Sequence, residues 1–202
     1  MASITPVVSI AEAPPAPAQR PRVVMVATAF ASAASAMYFL SLVGMYLSQR
    51  TATLLGGNPW LPEDVIIPLT QPNLLLGTLL MSSVTMQWAV SGIKDDDRPH
   101  AYLALLITLG LGFCFIVMTA YLYSLMQFDL AQSSVSILFY AITAGHVLML
   151  VAAMVFVVLM AYRALGGQFT SRQHDGMSAA ALYWHTTVAV FALIWLAIYI
   201  TK

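Results

Sequence analysis

The chain holds 202 residues, 60% of them hydrophobic and 8% charged, with eight basic and eight acidic side chains and a formal net charge of zero. A soluble domain carries about a quarter charged residues, so a water-exposed globular fold is excluded, and so is the basic footprint that nucleic-acid binding needs. The single cysteine excludes an intramolecular disulfide framework and a zinc site built on paired thiolates.

Residues 1–22 are rich in Ala and Pro, with the run APPAPA at 13–18. Such a composition cannot bury a core, and the segment is predicted to be a disordered cytoplasmic tail. Arg20 and Arg22 ahead of an apolar run that meets Ala31, Ser32 and Ala33 have the outline of a secretory signal. The apolar stretch nevertheless continues to Leu47, as an uncleaved span does. The expected organisation is therefore a tail, 1–22, and a transmembrane domain, 23–202.

Five stretches carry no Asp, Glu, Lys or Arg: Arg22 to Arg50, Asp64 to Lys94, Arg98 to Asp129, Asp129 to Arg163, and Asp175 to Lys202. A helix crossing the hydrocarbon needs about 20 apolar residues, and each stretch reaches that length. Helices are predicted at 23–48, 65–93, 99–127, 130–162 and 177–201. Unbroken apolar runs fit helices and not the ten-residue alternation of a barrel. The fold class read from the sequence is an all-α, integral-membrane five-helix bundle.

Orientation follows from Lys and Arg. With the N-terminus inside, the inner segments hold Arg20, Arg22, Lys94, Arg98, Arg163 and Arg172, and the outer ones only Arg50 and Lys202. The positive-inside rule then places the N-terminus inside and the C-terminus outside.

Between helices one and two, residues 56–64 (GGNPWLPED) combine turn formers with Trp60, expected at the interface. The charged run from Lys94 to Pro99 and the lone Asp129 each predict a tight hairpin, and Gly166-Gly167 is a helix stop. Helix one carries small residues at Ala27, Ala31, Ser35, Ser41, Gly44 and Ser48, and helix four at Ala141, Ala144 and Gly145. Their spacing permits close backbone approach, either by partner subunits or by neighbours within the bundle.

Acidic or basic groups inside a span would mark an ion or proton path. None is present, which argues against transport by this chain alone. The intramembrane polar residues are His146 and His185 on helices four and five, and Ser82, Ser83, Thr85 and Gln87 on helix two. Two mid-membrane histidines on neighbouring helices could hold one b-type haem by bis-histidine ligation, with Gly145 making room. The alternative is a neutral imidazole hydrogen-bonded to a neighbouring helix. His100 and His174 fall at the inner surface, where a solvated role is expected. Cys114 is expected to be buried and quiet in helix three. HExxH, GxSxG and phosphate-binding glycine loops are absent from the sequence.

Several strings add information. Tyr183-Trp184-His185 resembles the YWHFVD stretch of subunit III of haem-copper cytochrome c oxidases, and Gly145-His146-Val147 resembles the end of that family's TGFHGLHV segment. SSVTMQ at 82–87 resembles its SSxTxQ-like pattern. AMYFLSLVGMYL at 36–47 resembles its ELMFFAGLFAMYF segment, and NPWLPE at 58–63 its Trp/Pro-rich external loop. These occur in the family's order from about residue 25 to the C-terminus.

The resemblance implies the short, five-helix bacterial form of subunit III. Such a chain would be a multi-pass, non-catalytic subunit of an aa3-type terminal oxidase in the bacterial inner membrane. The complex would reduce oxygen with electrons from cytochrome c and translocate protons. The expected partners are subunits I and II, membrane phospholipids and a larger respiratory supercomplex. Haem a and copper would belong to the partner subunits, with no cofactor, metal or catalytic residue in this chain. The residues expected to contact lipid or other subunits are Ser82, Thr85, Gln87, His146, Trp184 and His185. Three family positions are neutral here: the intramembrane Glu falls at Ser35, the first His of FHGLH at Thr143, and the Asp of YWHFVD at Val188. A subunit III-related accessory protein of a nitric oxide reductase, and an independent b-type haem protein, stand as alternative readings.

Overall fold

The computed structural model describes residues 22–61, 68–126, 134–170 and 173–201. Its elements are five long helices: α1 (Val23–Leu55), α2 (Thr70–Lys94), α3 (Arg98–Met126), α4 (Ser134–Leu165) and α5 (Asp175–Ile194), the last continuing into a π-helical turn, Trp195–Ile200. All five are long and apolar enough to cross a membrane, and among the described residues there is no strand beyond one isolated bridge, Thr170 to Gln173. The chain is an all-α multi-span membrane protein. The predicted tail and the Asp129 hairpin lie outside the described residues.

The spans stand where the charge-free stretches place them, but several ends move. Helix α1 runs to Leu55, seven residues past the predicted 48, because Arg50 does not stop it and Gly56-Gly57 does. At about 1.5 Å per residue its 33 residues reach about 50 Å, longer than the roughly 30 Å hydrocarbon layer. Helix α2 starts at Thr70, not 65, with Pro72 in its first turn, where a missing N–H costs nothing.

Three helices end in the same motif, in which two backbone N–H groups turn back onto the last turn and one residue sits at positive φ. In α1, Gly57 N–H reaches Leu54 and Asn58 N–H reaches Thr53, with Gly57 at φ 76°. In α4, Gly167 N–H reaches Ala164 and Gln168 N–H reaches Arg163, with Gly167 at φ 71°. In α2 the left-handed position is Asp96, at φ 56°. There Asp96 N–H reaches Ile93 and Asp97 N–H reaches Gly92. Asp97 then caps α3: its side chain accepts the His100 backbone N–H at 3.4 Å, and its second oxygen lies 2.7 Å from His100 Nδ1. One short charged run thus closes one helix and opens the next.

Helix α5 is the centre of the bundle, packed against α1, α2 and α4, while α2 and α3 form a close hairpin. They approach closely at Gly92, where a Cβ would stand 3.0 Å from Ala101. The core follows α5: Trp184, Ile194 and Ile198 are fully buried, together with Leu79, Met86, Ile142 and Leu150 from its neighbours.

On α1, by contrast, the buried side is the narrow line Thr28, Ser32, Phe39, Val43 and Tyr46. The small residues Ala27, Ala31, Ser41, Gly44 and Ser48 point away from the bundle. Of the two uses the sequence left open for them, packing inside the bundle is therefore served only by Ser35, which is half-buried, and by Gly145 of α4, which lies against Phe39. Trp60, expected at the interface, is buried and donates its indole N–H to the Tyr46 hydroxyl at 3.1 Å. One further expectation is corrected. Cys114 is exposed on the surface of α3, because the inward side of that turn is taken by Gly112 and Phe115.

Candidate functional site

Three of the polar residues singled out in the spans, Ser82, Ser83 and His146, meet one turn of α5, residues 184–187. Trp184 is fully buried, and its indole N–H is donated to Ser82 Oγ at 3.1 Å. Ser82 in turn donates to the Leu79 carbonyl at 2.7 Å, so its oxygen is free to accept. The indole needs space on its other edge, and α3 supplies it at Gly112, whose Cβ would stand 3.0 Å from the ring.

Next to this bond, Ser83 Oγ and His185 Nδ1 lie 2.6 Å apart. Two positions further along α2, Thr85 Oγ1 is 2.8 Å from Thr108 Oγ1 of α3, and Thr108 also donates to the Ala104 carbonyl. Three interhelical pairs within four residues of α2 therefore join it to α5 and α3. Each satisfies polar groups that hydrocarbon could not.

His146 comes from the other side. It is 1% exposed and its Nε2 lies 2.9 Å from the Thr187 carbonyl of α5. Its ring is enclosed by Phe39, Phe115 and Phe191, with centroids 6.1, 5.6 and 5.2 Å away. Among the described residues its Nδ1 has no hydrogen-bond partner. His146 thus turns toward α5, while His185, leaving α5, turns toward α2. Each imidazole is hydrogen-bonded to a different neighbour, and the ring of His146 is packed among three phenyl rings. Among the described residues there is also no group of three or more His, Cys, Asp or Glu side chains placed to hold a metal ion.

Gln87 does not join this assembly: it is exposed on α2, one turn beyond Ser83. The structure adds a residue that the sequence reading passed over, Thr108, whose partner is 23 residues away and leaves no local signal. It also adds Tyr123, which donates to Thr143 Oγ1 at 2.8 Å while Thr143 donates to the Phe139 carbonyl.

On the opposite flank, an open groove of about 520 Å³ runs between α1 and α4. Phe39, Gly145 and Leu148 form its apolar walls, with Ser35, Tyr38 and Tyr183 adding hydroxyls. Ser35 Oγ lies 3.4 Å from the Tyr183 hydroxyl.

A family model described as cytochrome c oxidase subunit III matches residues 24–202. The chain belongs to the cytochrome c oxidase subunit III family. Similar proteins include "Cytochrome c oxidase subunit 3" of the turtle Pelomedusa subrufa, 33% identical over 156 residues, covering 76% of this chain and 60% of the relative. The protein of the same name from Bos taurus is 32% identical over 156 residues, with the same 76% and 60% coverage. That from Rattus norvegicus is 32% identical over 145 residues, covering 71% of this chain and 56% of the relative. The chain thus spans about 60% of the length of the curated relatives it matches.

Within this subunit III family chain, the three neutral positions are absorbed by the packing. Ser35 faces Tyr183, Thr143 is satisfied by Tyr123 and Phe139, and Val188 is buried in the core.

Proposed function

We propose that this chain is a non-catalytic subunit III of an aa3-type cytochrome c oxidase in a bacterial inner membrane, with its N-terminus inside and its C-terminus outside. In this role it stabilises subunit I, takes up phospholipid, and leaves oxygen reduction and proton translocation to partner subunits that carry haem a and copper. The observation that carries the reading is the family match across 24–202 on a bundle in which Ser82, Ser83, Thr85 and His146 hold helices together. A hydrogen-bonded joint of this kind makes a rigid scaffold.

The groove between α1 and α4 supports the lipid part. Its walls include Phe39, Gly145, Leu148 and Met149, and its hydroxyls lie at Ser35, Tyr38 and Tyr183. Six of the eight Lys and Arg residues fall on the side assigned to the cytoplasm, which supports the orientation.

The test is a reduced-minus-oxidised visible spectrum of the complex isolated in mild detergent through a tag on the N-terminal segment. An a-type haem signal with co-purifying larger subunits is expected. A b- or c-type signal without haem a would move the chain to a nitric oxide reductase assembly or another oxidase class. A haem signal from the chain expressed alone would contradict the accessory role. His146→Leu is expected to leave the haem content of the complex unchanged.

A further inference from the structure

The polar inventory of the spans leaves a remainder. Of the six residues marked as contact candidates, Ser82, Thr85, His146 and Trp184 have partners inside the chain. Gln87 is exposed and makes no hydrogen bond with any described residue. His185 is half-buried and uses only Nδ1, on Ser83; its Nε2 has no partner among the described residues.

These two groups are neighbours. Gln87 follows Ser83 by four residues, so both lie on one face of α2, and Ser83 holds His185. The amide and the outer edge of the imidazole therefore share one outward surface along the α2–α5 seam, flanked by exposed Val84 and Trp88.

Their depth makes the surface informative. Gln87 is five residues from Ser82, the middle of α2 (Thr70–Lys94), a rise of about 7.5 Å. His185 is within three residues of the centre of Asp175–Ile200, a rise of about 4 Å. Both lie well inside a hydrocarbon half-thickness of about 15 Å. An acyl chain at that depth offers neither donor nor acceptor, and an amide left unpaired there is costly.

We propose that the α2–α5 seam at Gln87 and His185 is the docking surface for a transmembrane helix of a partner subunit. That helix presents a hydrogen-bonding side chain, such as Ser, Thr, Asn, Gln or a carboxyl, to the Gln87 amide and to His185 Nε2. The assignment rests on the subunit reading above and adds to it the face that is used and the chemistry of what covers it. The occupant is a protein helix and not lipid because the free groups call for polar complementarity. They also stand on a seam already held by interhelical hydrogen bonds, which a third helix extends.

The test places a photo-crosslinking benzoylphenylalanine at position 87 of the full chain, in the complex isolated from its native membrane. An adduct with a larger membrane subunit, mapping to a span that carries a polar side chain, is the expected result. The double variant Gln87→Leu/His185→Leu should lower partner retention in mild detergent roughly three- to tenfold, with Gln87→Asn retaining most of it. Adducts of phospholipid mass alone would overturn the assignment, and so would a covalent dimer of this chain. A partner that co-purifies but yields no adduct from position 87, with retention unchanged in the double variant, refutes the surface and leaves the subunit reading standing. If wild-type chain co-purifies with no partner at all, the subunit reading fails and the docking surface falls with it.

Discussion

His146 Nε2 lies 2.9 Å from the backbone carbonyl of Thr187, forty-one residues away and on the next helix. A carbonyl can only accept, so Nε2 carries the proton and Nδ1 is the bare nitrogen, which is the atom with no partner among the described residues. The bond places a single tautomer in a cage of three phenyl rings. Nitrogen-15 solid-state NMR of the labelled protein in lipid should show the Nε2–H form alone at neutral pH.

The same geometry separates two substitutions. His146→Leu loses one hydrogen bond, worth about 1 kcal/mol, and also removes a buried unpaired nitrogen, so its net cost should stay within about 1 kcal/mol. His146→Ala instead leaves a hole among Phe39, Phe115 and Phe191 and should cost about 2–4 kcal/mol. Thermal unfolding in a fixed detergent measures both, and equal losses would show that the ring is not packed as described.

Trp184 and Ser82 form a second separable pair. Ser82→Ala strands the indole N–H in a fully buried place, at a cost of about 1–3 kcal/mol. Once Trp184 is Phe, the donor is gone, and the same Ser82→Ala change should cost clearly less. A double-mutant cycle with a coupling near zero would remove the bond from the account.

The α4 terminus tests the backbone. Gly167 sits at φ 71°, where a Cβ costs about 1–2 kcal/mol, so Gly167→Ala should lower stability by that order. Its neighbour Gly166 has ordinary φ, and a Cβ there would meet only carbonyls at 3.5 and 3.6 Å, so Gly166→Ala should be nearly silent. Paired melts of the two variants decide the matter.

At the membrane surface, the hydrogen bond from the His100 side chain holds the Asp97 carboxyl below its usual range. A carboxyl lowered by folding adds stability above its unfolded value, near about 4, and loses it as pH falls through the lowered folded value. Asp97→Asn should therefore melt lower than wild type near neutral pH, with the difference closing below about pH 4. Salt should shrink the effect, since the pair is exposed at 58% and 47%. A difference that stays constant across the range would point to the neutral cap alone.

Span number, helical class and approximate position were legible in the amino-acid sequence because hydrocarbon excludes charge. Five charge-free stretches of sufficient length admit few other solutions, and the order of the YWH, GHV and SSVTMQ strings already resembled one family. A helix end was legible at Gly166-Gly167, and not where Asp96 takes the same left-handed place with a side chain or where α1 runs past Arg50 to Gly56-Gly57. Tertiary structure alone decided which polar residues meet. Trp184 with Ser82, Thr85 with Thr108 and His146 with the Thr187 carbonyl are contacts between residues 102, 23 and 41 positions apart. No local pattern encodes them, because the rotation of each helix about its axis is set by packing against its neighbours. That rotation also turned the small residues of α1 outward, exposed Cys114, and left Gln87 and one nitrogen of His185 facing away from the bundle.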